Sequence, residues 1–168
     1  EAEALLRAAE GVDAIITCGG ASVGEKDFLK SALASLGAEA IFWRVAIKPA
    51  KPFGFFRLPD GRPVFLLPGN PASAGVAFEF FVRPGLRRLA GLPGHGRQEI
   101  EVPLAAAQKK QPGLTFFVRG NVERGEFVAS PHQSSGLTRS LVGQRALAIL
   151  PAGASRIDAG SKVVCRLL

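Results

Sequence analysis

The chain has 168 residues, of which 47% are hydrophobic and 21% charged, and it contains only two cysteines. This amount of apolar side chain excludes a disordered or collagen-like protein, and two cysteines are too few for a disulfide scaffold. No apolar stretch is long enough to cross a bilayer, and the first residues lack the basic and then apolar pattern of a signal peptide. We therefore expect a cytoplasmic protein with free thiols and no membrane contact.

The formal net charge is +7, which indicates either an anionic partner or simply a basic surface. Residues 95–168 carry ten basic and five acidic side chains, against eleven and nine in residues 1–94. Aromatic residues do not alternate with the basic ones, as they do on a platform for nucleic acid. We therefore expect small anionic partners and no nucleic acid.

Strand and helix patterns alternate in residues 1–94, which predicts an α/β sheet. A buried strand over 12–17 leads into a glycine-rich loop over 18–24, and a helix begins near Asp27 and ends at Gly37. The next predicted elements are a strand over 40–47, a hairpin of strands over 53–58 and 64–67, and a helix over 72–89 that Pro84 should end or kink. In such sheets, ligands bind outside the carboxyl ends of the strands.

A cluster of glycine and proline over 91–96 separates this part from a second one with short strand patterns. The spacing of these strands is typical of a small β-barrel or sandwich. They are predicted over 99–104, 114–119, 126–129, 146–150 and 162–167. The sequence therefore predicts two domains, 1–94 and 95–168.

The glycine-rich loop is the first candidate site, because glycines let backbone N–H groups approach an anion in front of a helix. Asp27 at its end either caps the helix or serves as a metal ligand or general base. A tight turn without a ligand is the alternative, since neither the Walker nor the GxGxxG pattern is present. We interpret Cys18 as a small residue that closes the strand. The candidate anion-binding residues of this loop are Gly19, Gly20, Ser22 and Gly24.

The run KPAKP presents Lys48 and Lys51 from a stiff segment, because each lysine is followed by a proline. Arg44 lies four residues before Lys48, so it shares the face of Lys48 on a strand that alternates sides. Three cations at a sheet edge predict a site for phosphate or another oxyanion. Charge that only confers solubility on an exposed loop is the alternative.

The run 66–74 repeats the arrangement of strand, loop and helix, with prolines on both sides of Gly-Asn. The free N-terminal amides of the following helix favour an anion, although Ser73 is equally explained as a helix cap. The candidate residues of this loop are Pro68, Gly69, Asn70 and Pro71. The two histidines and two cysteines show no zinc-ligand spacing, and no GxSxG elbow of a serine hydrolase is present.

Three runs taken together, TCGGASVGEKDF (17–28), WRVAIKPAKPFGF (43–55) and LLPGNPASA (66–74), resemble the molybdopterin molybdenumtransferases. This is the MoeA-type family, which includes the C-terminal enzyme domain of gephyrin. The resemblance continues through FFVRG, HQSSG and ALAILPAG to the closing AGSKVVCRLL, so it covers essentially the whole chain. It implies an α/β fold: a partial three-layer molybdopterin-binding domain, followed by a small C-terminal β-barrel domain.

The resemblance also implies a reaction, the insertion of molybdate into adenylylated molybdopterin with release of AMP, assisted by a divalent cation, usually Mg²⁺. Asp27 matches the family's metal-assisting carboxylate, while Arg44, Lys48 and Lys51 match basic positions around molybdate and phosphate. Further matched positions are Pro68, Asn70, Pro71 and Ser135. The family implies a homodimer for the complete protein and an adenylyltransferase as its partner.

The chain departs from the family at three positions: family members usually have Ser or Thr in place of Cys18 and Gly in place of Ala50, and they often have Lys in place of Arg44. It is also much shorter, without the preceding domains and the first strand-helix unit of the α/β domain. We therefore expect a C-terminal fragment that does not catalyse the reaction alone. The alternative functions are a molybdopterin adenylyltransferase and a non-catalytic scaffold or binding module.

Overall fold

The structure, a computed structural model, describes Ala4, Ala9 and residues 11–19, 28–94, 96–136 and 141–168. The chain divides into two compact units. The first comprises Glu1–Val45 and Ala50–His95, and the second comprises Ala46–Pro49 and Gly96–Leu168. None of the helices in the described ranges is long and apolar enough to span a membrane.

The first unit is built on a sheet of four strands: β1 (Ile15–Cys18), β2 (Glu39–Trp43), β4 (Gly54–Arg57) and β5 (Pro63–Leu67). Their order is β1-β5-β4-β2. β1 and β5 are parallel, whereas β4 is antiparallel to both of its neighbours. β1, β2 and β5 therefore run in the same direction, and their carboxyl ends share one edge of the sheet.

Helix α1 (Phe28–Ser35) covers one face of this sheet and is stopped where the sequence predicts. Its Leu33 is fully buried in a core with Val64 and Leu66 of β5. Gly37 has φ +72, and its N–H and that of Ala38 donate to carbonyl groups of the last helical turn. This is the glycine-terminated helix end, which closes otherwise unpaired carbonyls.

The helix predicted over 72–89 forms as three consecutive pieces: α2 (Pro71–Ala77), a π-helical turn (Phe78–Val82) and α3 (Arg83–Leu89). Pro84 does not end the helix. Because Pro84 has no N–H to donate, one helical hydrogen bond is lost there, and the change of register in the preceding π turn accommodates that loss.

The prediction of one continuous strand over 40–47 is wrong. Arg44 has φ +67, a left-handed conformation that strands do not contain, so β2 ends at Trp43. The next residues form a separate short strand, β3 (Ile47–Lys48), which pairs in parallel with β8 (Thr115–Glu123) of the second unit.

The further strands of the second unit are β6 (Glu99–Pro103), β7 (Gln108–Lys109), β9 (Glu126–Ala129), β10 (Ala146–Leu150), β11 (Arg156–Ile157) and β12 (Lys162–Leu167). Its sheet has the order β3-β8-β10-β12-β6, with β9 on β8. The bounds of β9, β10 and β12 are as predicted, β8 is longer than predicted, and the short strands β7 and β11, which pair with each other, were not predicted. Among the described residues, the edges of the sheet meet at a single bridge, Leu104 to Phe127, so the barrel is not closed by a continuous ladder.

Candidate functional site

Four segments of the first unit meet at one edge of its sheet. The register pairs Cys18 with Leu67, Leu66 with Gly54, and Gly54 with Trp43. The segments that follow β1, β2 and β5, and the one that precedes β4, therefore lie at the same edge. This is the edge at which open α/β sheets bind ligands.

The beginning of the glycine-rich loop touches the Pro-Gly-Asn-Pro loop at this edge. The Gly19 N–H donates to the Leu67 carbonyl at 3.0 Å, and the Cys18 Sγ lies 3.6 Å from the Pro68 carbonyl oxygen. A Cβ on Gly69 would lie 3.4 Å from the Gly19 Cα, so the two backbones are close neighbours at this point. Gly19 and the Pro-Gly-Asn-Pro loop therefore lie at the same edge of the sheet. Four predicted site residues lie outside the described residues: Gly20, Ser22, Gly24 and Asp27.

The Pro-Gly-Asn-Pro loop opens directly into helix α2. Asn70 is the N-cap residue with extended backbone angles, and its carbonyl accepts the N–H of Ala74 at 2.9 Å. Pro71 occupies the first turn, where a missing N–H costs nothing. Ser73 is buried inside the helix, so the interpretation of Ser73 as a cap is wrong.

Two of the predicted cations stand in the segment between β2 and β4, on the first unit. The Arg44 N–H donates to the Phe53 carbonyl at 2.9 Å, and the Val45 N–H donates to the Lys51 carbonyl at 3.0 Å. These bonds fix the backbone on both sides of the segment, while the Arg44 and Lys51 side chains are exposed. The edge therefore offers two positive groups beside two glycine-containing loops.

Lys48 does not share a strand face with Arg44, and that prediction is wrong. The left-handed backbone at Arg44 separates β2 from β3, and Lys48 belongs to the second unit. Its side chain is exposed, with Nζ 5.1 Å from the centroid of the Phe116 ring. An ammonium group at this distance from an aromatic ring is attracted to the ring face.

The loop that carries the predicted Ser135 is held by a buried arginine of β8. Gln133 accepts the Arg119 N–H at 3.1 Å and donates to the Arg119 carbonyl at 2.8 Å. The Arg119 Nη2 donates to the carbonyls of His132 and Ser134, each at 3.4 Å. Ser135 follows these contacts and is half-buried.

Sequence reasoning missed Arg119 as a candidate. Its side chain is 1% exposed, and its Nε and Nη1 have no hydrogen-bond partner among the residues that the structure describes. Burial lowers the pKa of the guanidinium. Buried donors of this kind are suited to an anion or an ordered water. The available signal was one arginine in an otherwise apolar run, FFVRG.

Within the described ranges, no group of three or more His, Cys, Asp or Glu residues is placed to hold a metal ion. The described candidate residues offer cationic side chains and backbone amides in the first unit, and the Lys48 ammonium and the Ser135 hydroxyl group in the second unit. Their common chemistry is the binding of oxyanions, by charge-assisted hydrogen bonds.

Two family profiles match the chain. The first, described as a probable molybdopterin binding domain, matches residues 2–88, and the second, the MoeA C-terminal region (domain IV), matches residues 101–168. The predicted order of an α/β domain followed by a C-terminal β domain is thereby confirmed.

Named relatives and solved structures agree with these profiles. The molybdopterin molybdenumtransferase of Synechococcus elongatus is 38% identical over 161 residues, which cover 95% of this chain and 39% of the relative. That of a Nostoc species is 34% identical over 172 residues, covering 96% and 39%. A crystal structure of the molybdopterin biosynthesis MoeA protein from Pyrococcus horikoshii has a TM-score of 0.81 at 27% identity, covering 98% of this chain and 40% of that one.

The chain thus spans about two fifths of the length of the relatives that it matches. The two profiles match consecutive parts of the chain, the molybdopterin binding domain first and the MoeA C-terminal region second, and together they cover most of its length. The chain therefore belongs to the MoeA family of molybdopterin molybdenumtransferases.

Proposed function

We propose that the complete protein inserts molybdate into adenylylated molybdopterin and releases AMP. The observation that carries this proposal is the edge of the first sheet, where two glycine-containing loops and two exposed cations lie together. Membership of the MoeA family supports it, because the relatives named above are molybdopterin molybdenumtransferases.

The substrates and the product share one property, which is negative charge on oxygen. In this proposal Arg44 and Lys51 bind phosphate or molybdate oxygens, while the backbone at Gly19 and Gly69 allows a close approach to the substrate. Each hydrogen bond to a charged group contributes about 1.5–3 kcal/mol. Lys48 and Ser135 are proposed as anion-binding residues of the second unit.

Asp27 is proposed as the carboxylate that acts on the adenylate, and it would be the protein's ligand for Mg²⁺. A carboxylate oxygen is a ligand that Mg²⁺ prefers. The described residues provide no carboxylate cluster of their own for this ion. The proposal for Mg²⁺ therefore depends on Asp27, and no step is derived through the metal.

The remaining parts of the proposal concern the complete protein. Residues 1–94 form its molybdopterin-binding domain, apart from Ala46–Pro49, which belong to the same compact unit as the C-terminal β domain of residues 95–168. It acts as a cytoplasmic homodimer that receives its substrate from an adenylyltransferase. Adenylylation of molybdopterin by the protein itself, with ATP and no partner enzyme, would instead favour the adenylyltransferase alternative.

Lys48→Ala tests the proposed cationic anion-binding residue of the second unit, in the complete protein. Loss of one charged hydrogen bond should raise the KM for molybdate by at least about tenfold, since a factor of ten corresponds to about 1.4 kcal/mol. AMP release from adenylylated molybdopterin measures this. Lys162→Ala is the matched control, because Lys162 is an exposed lysine of the same unit with only a long ion pair of 3.8 Å to Glu101. Equal KM values for both variants would show that Lys48 does not bind molybdate.

Asp27→Asn tests the carboxylate. It keeps the size and capping ability of the side chain but removes the charge, so folding should be unaffected while AMP release is lost. Thermal unfolding and AMP release are measured on the same preparation. Release at the parent rate would show that Asp27 has no part in the reaction.

A further inference from the structure

Lys110 is a buried cation surrounded by backbone carbonyl groups. The residue is nearly inaccessible, with a relative exposure of 8%. The ammonium donates to the carbonyls of Ala154 at 2.8 Å, Leu114 at 2.9 Å, Gln111 at 3.2 Å and Ala152 at 3.4 Å. An ammonium has three donors, so four convergent oxygens satisfy all of them. A ring of carbonyls is also the arrangement with which proteins hold a monovalent metal cation.

This carbonyl cage lies at the point where β3 joins the second unit. Leu114, one of the four acceptors, directly precedes β8. The next residue, Thr115, donates its N–H to the Ala46 carbonyl at 2.9 Å, at the entry to β3. Beyond that bond the register pairs Lys48 with Phe116. The position of the Lys48 backbone is therefore set by the segment that the Lys110 ammonium anchors.

Besides this backbone connection, the Phe116 side chain also links the two lysines. Its centroid lies 5.1 Å from the Lys48 Nζ and 5.2 Å from the Lys110 Nζ. Each ammonium is within the range of cation–π attraction. Lys110 thus limits the position of the ring on which the Lys48 ammonium rests.

We propose that Lys110 is a positioning residue for Lys48. Its buried ammonium serves as an internal cation that fixes the first residues of β8, and through them the two-residue strand β3 and the Phe116 ring. The inference rests on the proposed role of Lys48 in binding an oxyanion. Lys110 itself is enclosed by carbonyls and is not proposed to contact the substrate.

Lys110→Met is the first test, because methionine has a similar length but no donor. In the complete protein, titration with inorganic molybdate should show affinity about tenfold weaker than in the parent, since a small misplacement of a binding group is costly. Lys109→Met is the matched control: it removes the same charge from the adjacent, exposed position. Affinity should be unchanged in that variant.

A spectroscopic readout separates positioning from a general loss of stability. Because the Lys48 Nζ lies 5.1 Å from the Phe116 centroid, the ring current should shift the NMR resonances of the Lys48 ε-methylene group. In Lys110→Met these resonances should move toward the values of an unstructured lysine, and in Lys109→Met they should not. A folded Lys110→Met protein with parent resonances for Lys48 would overturn the proposal.

Chemical rescue tests the cage directly. In Lys110→Ala, propylammonium replaces the missing part of the side chain, so propylammonium chloride should restore molybdate affinity. Tetramethylammonium chloride at the same ionic strength has no N–H to donate and should not restore it. Equal effects of the two salts would contradict the proposal.

The outcomes distinguish this inference from the proposed function. If Lys48→Ala weakens molybdate binding but Lys110→Met behaves like Lys109→Met, the positioning role fails and the proposed function stands. If Lys48→Ala has no effect, the proposed role of Lys48 fails, and the Lys48 resonances alone decide whether Lys110 positions it. Should Lys110→Met not fold, Lys110→Gln replaces it, because glutamine keeps N–H donors for the carbonyls but is shorter and uncharged. Parent affinity with parent Lys48 resonances in a folded Lys110→Gln protein would overturn the proposal.

Discussion

The two cysteines of the chain occupy opposite environments. Cys18 is exposed at the end of β1, next to the Pro68 carbonyl. Cys165 is fully buried in the core of the second unit, and desolvation raises the pKa of its thiol from 9.0 to about 11. Since the thiolate is the reactive form, Cys165 is chemically inert in the folded protein and Cys18 is the accessible thiol.

The shifted pKa of Cys165 makes stability depend on alkaline pH. In the unfolded chain the thiol ionises at 9.0, whereas in the folded protein it stays neutral until about 11. Ionisation therefore favours the unfolded state as the pH rises through this window. The neutral buried thiol contributes about 2–3 kcal/mol to the free energy of unfolding; this contribution is fully present below pH 9 and is lost by about pH 11. Denaturant titration below pH 9 and near pH 11 measures the loss.

Cys165→Ala is the comparison for this measurement. Below pH 9, alanine lowers the free energy of unfolding, because it removes a buried sulfur, but it cannot ionise at higher pH. The variant should therefore lose less stability than the parent between the two pH values. An identical loss in both proteins would show that Cys165 does not titrate in this window.

At the scale of single elements, strand β8 depends on the absence of a side chain at Gly120. A Cβ there would overlap the Val128 carbonyl oxygen of β9 and would lie 2.6 Å from the Phe127 ring. Phe127 is buried in the core of the second unit, so the strand pair has no room to relax. Glycine at this position allows β8 and β9 to approach.

Gly120→Ala should therefore destabilise the protein by about 1–3 kcal/mol, the range for overpacking of a filled core. The control is Gly153→Ala, at an exposed position where a Cβ would meet nothing within 4 Å. Its free energy of unfolding should change by less than about 0.5 kcal/mol. Denaturant unfolding of both variants checks the prediction, and equal stability of the two would contradict the tight approach of β8 and β9.

The elements also show where sequence reasoning fails. The strand break at Arg44 was not predictable, because positive φ is usual for glycine and uncommon for arginine. Ala50 has φ +82, a left-handed backbone conformation that favours glycine. This is the position at which family members were expected to have glycine, so the chain carries alanine where glycine would fit the backbone best. β7 and β11 have only two residues each, too few to produce a periodic pattern.

At the scale of the whole chain, the candidate binding edge of the first unit could be predicted from sequence, because a general rule places ligands at the carboxyl ends of the strands of an α/β sheet. Strands followed by glycine-containing loops and helices place those loops at the carboxyl ends of a sheet, and Gly19 and Gly69 are indeed neighbours. The location of Lys48 could not be predicted in this way. It depends on the pairing of Ile47 with Thr115, which are far apart in sequence.

The candidate residues of the second unit show the same limit. Ser135 was singled out only through family resemblance, whereas Arg119 was not singled out at all. Its significance comes from burial and from two donors without partners among the described residues, which are properties of packing. A lone arginine in an apolar run carries no motif that would reveal them.

The alkylation rate of Cys18 tests most directly whether the carboxyl ends of β1 and β5 hold the substrate. Iodoacetamide labelling of the complete protein is followed by mass spectrometry, with and without adenylylated molybdopterin, and the buried Cys165 is the internal control. We expect bound substrate to slow the labelling of Cys18 severalfold, while Cys165 stays unlabelled in both samples. Labelling of Cys18 at the same rate with saturating substrate would contradict a substrate site at this edge.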